Sequence, residues 1–220
     1  MAQQLTQSLE VFDLTIEEKV NSFIHASGVL FALVGIPLLI SNSINSGVEN
    51  SISVSIYGTC FFLTFTFSTF YHWFTRPKRK NLFKLLDRIS IYFFIAGTYT
   101  PFVIYYLFDR TGIILLSLMW LLVLAGILFE LFLVKRYLFL SVIFYLVMGW
   151  MFVFVSNQFF RLMPQQVITL ILVGVFLYSV GVIFYVWKKW RFHHAIWHSC
   201  VLAAALCHYA AIWITVSSIH

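Results

Sequence analysis

Apolar residues dominate this chain in seven long runs, each closed by a short polar stretch. The runs cover about residues 20–42, 51–74, 86–108, 112–134, 138–160, 166–187 and 194–217. Roughly 20 apolar residues in a helix cross about 30 Å of hydrocarbon, so each run is long enough to span a bilayer. The separators carry loop chemistry: Ser41 through Asn50, Arg76-Pro77-Lys78-Arg79-Lys80, Asp109 through Gly112, Lys135-Arg136, Arg161 through Pro164, and Lys188-Lys189. Thr15, with Glu18 three residues later, reads as a capping box that starts the first helix. Pro164 suits the first turn of the sixth. The pattern predicts an all-α, polytopic bundle of seven transmembrane helices, with no internal repeat and no linker between domains. A short segment, 1–14, precedes a single membrane domain, 15–220.

Composition agrees with a bilayer as solvent. Of the 220 residues, 61% are hydrophobic and only 10% charged, and the mean hydropathy is +0.92. A soluble domain of this size has no interior large enough for that much apolar surface. The net charge of +6 does not require nucleic acid, because the bases sit between apolar runs. With the N-terminus in the cytoplasm, the inner segments hold Lys19, Arg76, Lys78, Arg79, Lys80, Lys84, Arg88, Lys135, Arg136, Lys188, Lys189 and Arg191. Only Arg110 and Arg161, of 14 bases, then lie outside. The positive-inside rule therefore predicts a cytoplasmic N-terminus and an external C-terminus. The first nineteen residues carry Glu10, Asp13, Glu17 and Glu18 and no base before Lys19, the wrong charge for a signal peptide. Cys60, Cys200 and Cys207 fall within apolar runs without a CxxC pair and read as small buried hydrophobes.

Ionisable groups within spans are costly to bury and mark functional positions. Here they are His25, His72, Asp87, Glu130, His194, His198 and His208. His194 and His198, four apart at the inner start of the seventh helix, share a face and can share a metal. His193 points about 100° away, and His208 lies roughly 15 Å deeper, out of reach of the same ion. They read as an interfacial residue and a hydrogen-bonded core histidine. His72 stands one turn before the end of the second helix, with Ser68 a turn before it on the same face, and Asp87 opens the third helix. His72, Asp87, His194 and His198 thus lie within roughly 10 Å of the cytoplasmic boundary. Depth alone leaves His25 open, as a ligand or as an interhelical hydrogen-bonding group. Glu130 has Lys135 and Arg136 nearby as partners. The abundant aromatic residues read as packing and interfacial groups rather than a ligand box.

At these residues the chain resembles the hemolysin III family, the bacterial branch of the progestin and adiponectin receptor (PAQR) group. The likeness comes in ordered blocks over nearly the whole sequence: Glu18-x-x-Asn21-x-x-x-His25-x-x-Gly28, then Ser68-Thr69-Phe70-Tyr71-His72, then Leu86-Asp87-Arg88 with Ile95 through Phe102, then His194-Ala195-Ile196-Trp197-His198 followed by His208. The resemblance implies one zinc ion (Zn2+) held by His72, His194 and His198. It implies that Asp87 faces the metal's water, that Ser68 supports the site, and that His25 is not a ligand. Arg88 stands where relatives commonly carry histidine, a change at the site's mouth rather than in the ligand set.

Three histidines leave a coordination position open, the pattern of a catalytic zinc. A site just inside the leaflet, beside a basic segment suited to anionic headgroups, points to membrane lipids as partners and to a lipid amide or ester as substrate within the bundle. The related alkaline ceramidases share the zinc pattern and cleave an amide, which makes a zinc-dependent hydrolase of the inner membrane the leading expectation, with Asp87 and Ser68 as its catalytic groups. Three alternatives stand beside it: a zinc that only ties helices together, a regulator of membrane state resembling the receptor relatives, and a cytolytic, membrane-permeabilising protein.

Overall fold

The structure, a computed structural model, describes residues 2–134 and 137–218, with side chains at all of these except 2–14, 138, 155, 156 and 158. Among the described residues it contains eight α-helices and no strand. These are α1 (Ala2–Ser43), α2 (Val48–Trp73), α3 (Pro77–Tyr106), α4 (Arg110–Phe132), α5 (Leu138–Gly149), α6 (Ser156–Leu162), α7 (Gln165–Val186) and α8 (His193–Ser217). Six of them, α1 to α4, α7 and α8, contain a stretch long and apolar enough to cross a membrane.

Three boundaries depart from the sequence reading. The capping box at Thr15 is not used: α1 is already helical from Ala2, through a segment without Gly or Pro, and Glu18 turns to other partners. The basic stretch after Arg76 is not a loop but the start of α3. Pro77 occupies the first helical position, where its fixed φ suits the turn and no N–H is missed. Asp87 therefore lies inside α3 rather than at its opening. At the other proline, Pro164 caps α7 from outside, with ψ at 142°.

The largest departure is the expected uninterrupted helix over 138–160. It breaks after Gly149 into a 3-10 turn, Met151–Val155, before α6 resumes. Glycine, a poor helix former, marks the break. The freed backbone groups need partners in an apolar environment, and Tyr99 of α3 supplies them. Its hydroxyl donates to the carbonyls of Met148 (3.0 Å) and Gly149 (3.2 Å) and accepts from the Phe152 N–H (3.0 Å).

Inside the bundle, Phe61 and Phe65 stack at 4.6 Å, and Phe94 of α3 meets Phe61 edge-on at 5.5 Å. The outer faces are apolar instead, with Leu30, Leu33 and Leu38 on α1 and Leu121, Leu124 and Leu128 on α4 all exposed. An apolar skin around a packed interior is the surface of a protein solvated by lipid. Gly28 sets the α1–α2 spacing: a Cβ there would run into the Phe65 ring, so only glycine permits this approach. That approach brings His25, one turn earlier, over Phe65 at 5.6 Å and against α2.

Candidate metal centre

Four imidazoles from three helices converge at one end of the bundle. His198 lies at the middle, with ring centroids 4.2 Å from His25, 4.8 Å from His72 and 4.4 Å from His194. His72 and His194 are 5.5 Å apart, and His25 stacks parallel to His72 at 6.0 Å. The i,i+4 spacing on α8 places His194 and His198 on one face, and the α1–α2 contact delivers the other two. His25, His72 and His198 are all buried, and each offers a nitrogen within 4.8 Å of the others. His194 borders this trio and is only partly buried.

The hydrogen bonds fix much of the proton arrangement. His72 Nδ1 lies 3.0 Å from the Glu18 carboxylate, which also accepts from Lys80 Nζ at 2.8 Å. A carboxylate accepts, so Nδ1 carries a proton, and in the neutral ring Nε2 is then the lone pair. That Nε2 is buried with no partner. His25 Nε2 and His198 Nδ1 are 2.7 Å apart and share one proton, while His25 Nδ1 and His198 Nε2 are buried and unpartnered. Buried polar atoms are rarely left unpaired in folded proteins, so three orphaned imidazole nitrogens in one histidine cluster point to a missing partner. A borderline-soft dication that prefers nitrogen, Zn2+ above all, fits this donor set.

Acidic residues of α1 organise the surroundings. Glu17 accepts from the backbone N–H of His194 at 3.2 Å. That N–H belongs to the first turn of α8, whose cap position, Phe192, has left-handed backbone (φ 58°) and provides no side-chain cap. Adjacent residues therefore hold two histidine-bearing helices, Glu17 the start of α8 and Glu18 the His72 ring. Neither role was read from the sequence, where Glu18 had been assigned to a cap. Glu18, Ser22 and His25 follow i,i+4,i+7 spacing on one face of α1, a signal available in the sequence. Ser22 strengthens the same contact by donating to the Thr69 carbonyl at 3.1 Å.

Ser68 and Asp87 lie near one another beside the histidines. Both line an internal cavity of about 280 Å³, together with His25, His194 and His198. His208 lines the same cavity, while His193 turns away to the Phe184 carbonyl at 3.2 Å. Glu130 is fully buried on the opposite flank, but its partner is Arg88, with Nε to Oε2 at 3.1 Å and the N–H not aligned for a hydrogen bond. Ser141 donates to the other oxygen at 2.6 Å. The partners expected from sequence, Lys135 and Arg136, lie outside the described residues. Arg88 was read only as a change at the site's mouth; because it occupies α3 across from α4, it reaches the acid instead.

Residues 14–209 match the family model described as Haemolysin-III related. The chain is 40% identical over 193 residues to "Hemolysin-3 homolog" of Bacillus subtilis (strain 168), covering 87% of this chain and 91% of that one. It is 36% identical over 190 residues to "Hemolysin-3" of Bacillus cereus, covering 86% and 87%. A more distant likeness, 29% over 203 residues, covering 90% and 83%, joins it to "Monocyte to macrophage differentiation factor" of Homo sapiens. No solved structure is significantly similar.

Proposed function

Because the chain belongs to the Haemolysin-III related family, we propose that it is a zinc-dependent lipid amide or ester hydrolase working at the cytoplasmic leaflet of the inner membrane. In this reading α5, the 3-10 turn and α6 cross together as one broken span. The crossings then number seven, the N-terminus faces the cytoplasm and the C-terminus lies outside, as the distribution of bases supports. The observation that carries the proposal is the cluster of buried histidines with orphaned ring nitrogens, His25, His72 and His198, two of which line a cavity that also holds Asp87 and Ser68.

His72, His194 and His198 would hold the zinc, and the hydrogen bonds suggest why His25 would not. For His198 to offer Nε2 as a lone pair, its Nδ1 must carry the proton and donate to His25 Nε2. His25 is then an acceptor that orients His198, as Glu18 orients His72, the usual second layer behind histidine ligands. When bound, the metal supplies Lewis acidity and lowers the pKa of a water molecule toward about 7. The protein's own groups do the rest. The Asp87 carboxylate takes the proton of the attacking water and returns it to the departing amine or alcohol. The Ser68 hydroxyl can donate to the carbonyl oxygen of the scissile bond. Lys84, exposed at the cavity wall one turn from Asp87, suits an anionic headgroup. The apolar remainder of the cavity suits an acyl chain.

The test is fatty-acid release from a panel of ceramide-like and ester lipids by the purified, zinc-containing protein, followed by mass spectrometry. Release abolished in Asp87→Ala with zinc retained is the expected result. No product from any lipid would overturn the hydrolase and favour a regulator of membrane state. Dye leakage from liposomes that persists without the histidines would favour the cytolytic reading.

A further inference from the structure

A second polar feature lies deeper in the cavity, away from the metal centre and unused by the chemistry above. His208 follows His198 by ten residues on α8, roughly 15 Å along the axis. Its Nε2 lies 3.3 Å from the Ile171 carbonyl of α7. A carbonyl can only accept, so Nε2 carries the ring proton, and Nδ1 of the neutral ring is left as an acceptor. Gly174 makes the room, since a Cβ there would run into the His208 ring. One turn on, Tyr178 brings its ring within 5.7 Å of His208, and its hydroxyl is buried without a partner. Both residues line the cavity, among apolar neighbours such as Ile171, Val175 and Phe159.

The unpaired Tyr178 hydroxyl, buried in hydrocarbon surroundings, costs folding free energy, and a purely aliphatic ligand leaves that cost in place and the neighbouring His208 acceptor unused. A ligand that carries its own hydroxyl at this depth relieves it. We infer that His208 and Tyr178 form a mid-membrane recognition point for a long-chain amphiphile hydroxylated part-way along its hydrocarbon chain. The ligand's O–H donates to His208 Nδ1, and its oxygen accepts from the Tyr178 hydroxyl. This inference rests on the reading of the cavity as a lipid site.

The experiment measures binding of stearate and of mid-chain hydroxystearate to the purified protein in nanodiscs, by native mass spectrometry. The expected preference for the hydroxylated chain is about fivefold to tenfold, the value of roughly one net hydrogen bond. Tyr178→Phe and His208→Leu should each erase the preference while stearate affinity and zinc content stay unchanged. Equal binding of the two chains by the unaltered protein would overturn the recognition point and leave the lipid cavity standing, with water alone satisfying the pair. Binding of neither chain would overturn both. A preference that survives in both variants would place the discrimination elsewhere and sink the assignment.

Discussion

Two buried polar clusters flank the cavity, and they have opposite characters. On the α1–α2–α8 side, four histidines meet with three ring nitrogens unpaired. On the α3–α4–α5 side, the Glu130 carboxylate is enclosed by Arg88 at 3.1 Å and Ser141 at 2.6 Å, and Tyr145 ties the group together by donating to the Arg88 carbonyl at 3.0 Å. The second cluster neutralises its buried acid from within the protein by an ion pair and a hydroxyl, although Arg88 Nε and Glu130 Oε2 make no hydrogen bond. The first stays incomplete, and its open valences are of one chemical kind. Burial of charge and polarity is common to both, so burial alone does not identify a ligand site. What separates the two is that the braced acid has an opposite charge and a donating hydroxyl beside it, whereas three nitrogens of the histidine cluster have no partner.

The sharpest way to break this contrast is to remove ligands. His72→Ala and His198→Ala should each reduce zinc from about one per chain to near none, by metal analysis of the purified protein. His194→Ala should do the same, and stoichiometric zinc there, together with loss in His25→Ala, would move the ligand set to His25, His72 and His198. On the braced side, Arg88→Ala should lower stability by about 3–5 kcal/mol, because it strands the fully buried Glu130 carboxylate. Zinc content should be untouched, and thermal unfolding in detergent checks both halves of that statement. Smaller effects belong to the groups behind the ligands. Glu18→Gln and His25→Ala should weaken zinc binding roughly 10-fold to 100-fold without emptying a saturated site, as competition with a chelator would show. Gly28→Ala should cost about 1–3 kcal/mol, because the buried Phe65 ring must give way, and should loosen zinc least of all.

Much of the bundle was legible because its signal is local. Apolar runs and their separators locate all six long helices, and the i,i+4 pair and the His72 depth locate three of the clustered histidines. The long-range contacts were harder. Glu18 looked like a cap because its cap partner is three residues away, whereas its contacts are 54 and 62 residues away, at His72 and Lys80. Glu130 looked toward Lys135 and Arg136 for the same reason, and met Arg88 across helices instead. The break after Gly149 was hidden because Tyr99 supplies the missing backbone partners from a different helix, and hydropathy registers only the continuous apolar run.

That latch has a consequence for how the chain is made. A helix of 12 residues such as α5 reaches about 18 Å, too short to leave the translocon into about 30 Å of hydrocarbon alone. Its frayed end is admissible only where a phenol already stands ready to receive it. The order of synthesis provides this, since α3 emerges first and carries Tyr99 into the bilayer ahead of its client. Lateral release of the fifth segment is thus expected to be templated by the third, and pulse-chase of Tyr99→Phe should reveal faster clearance of the newly made chain.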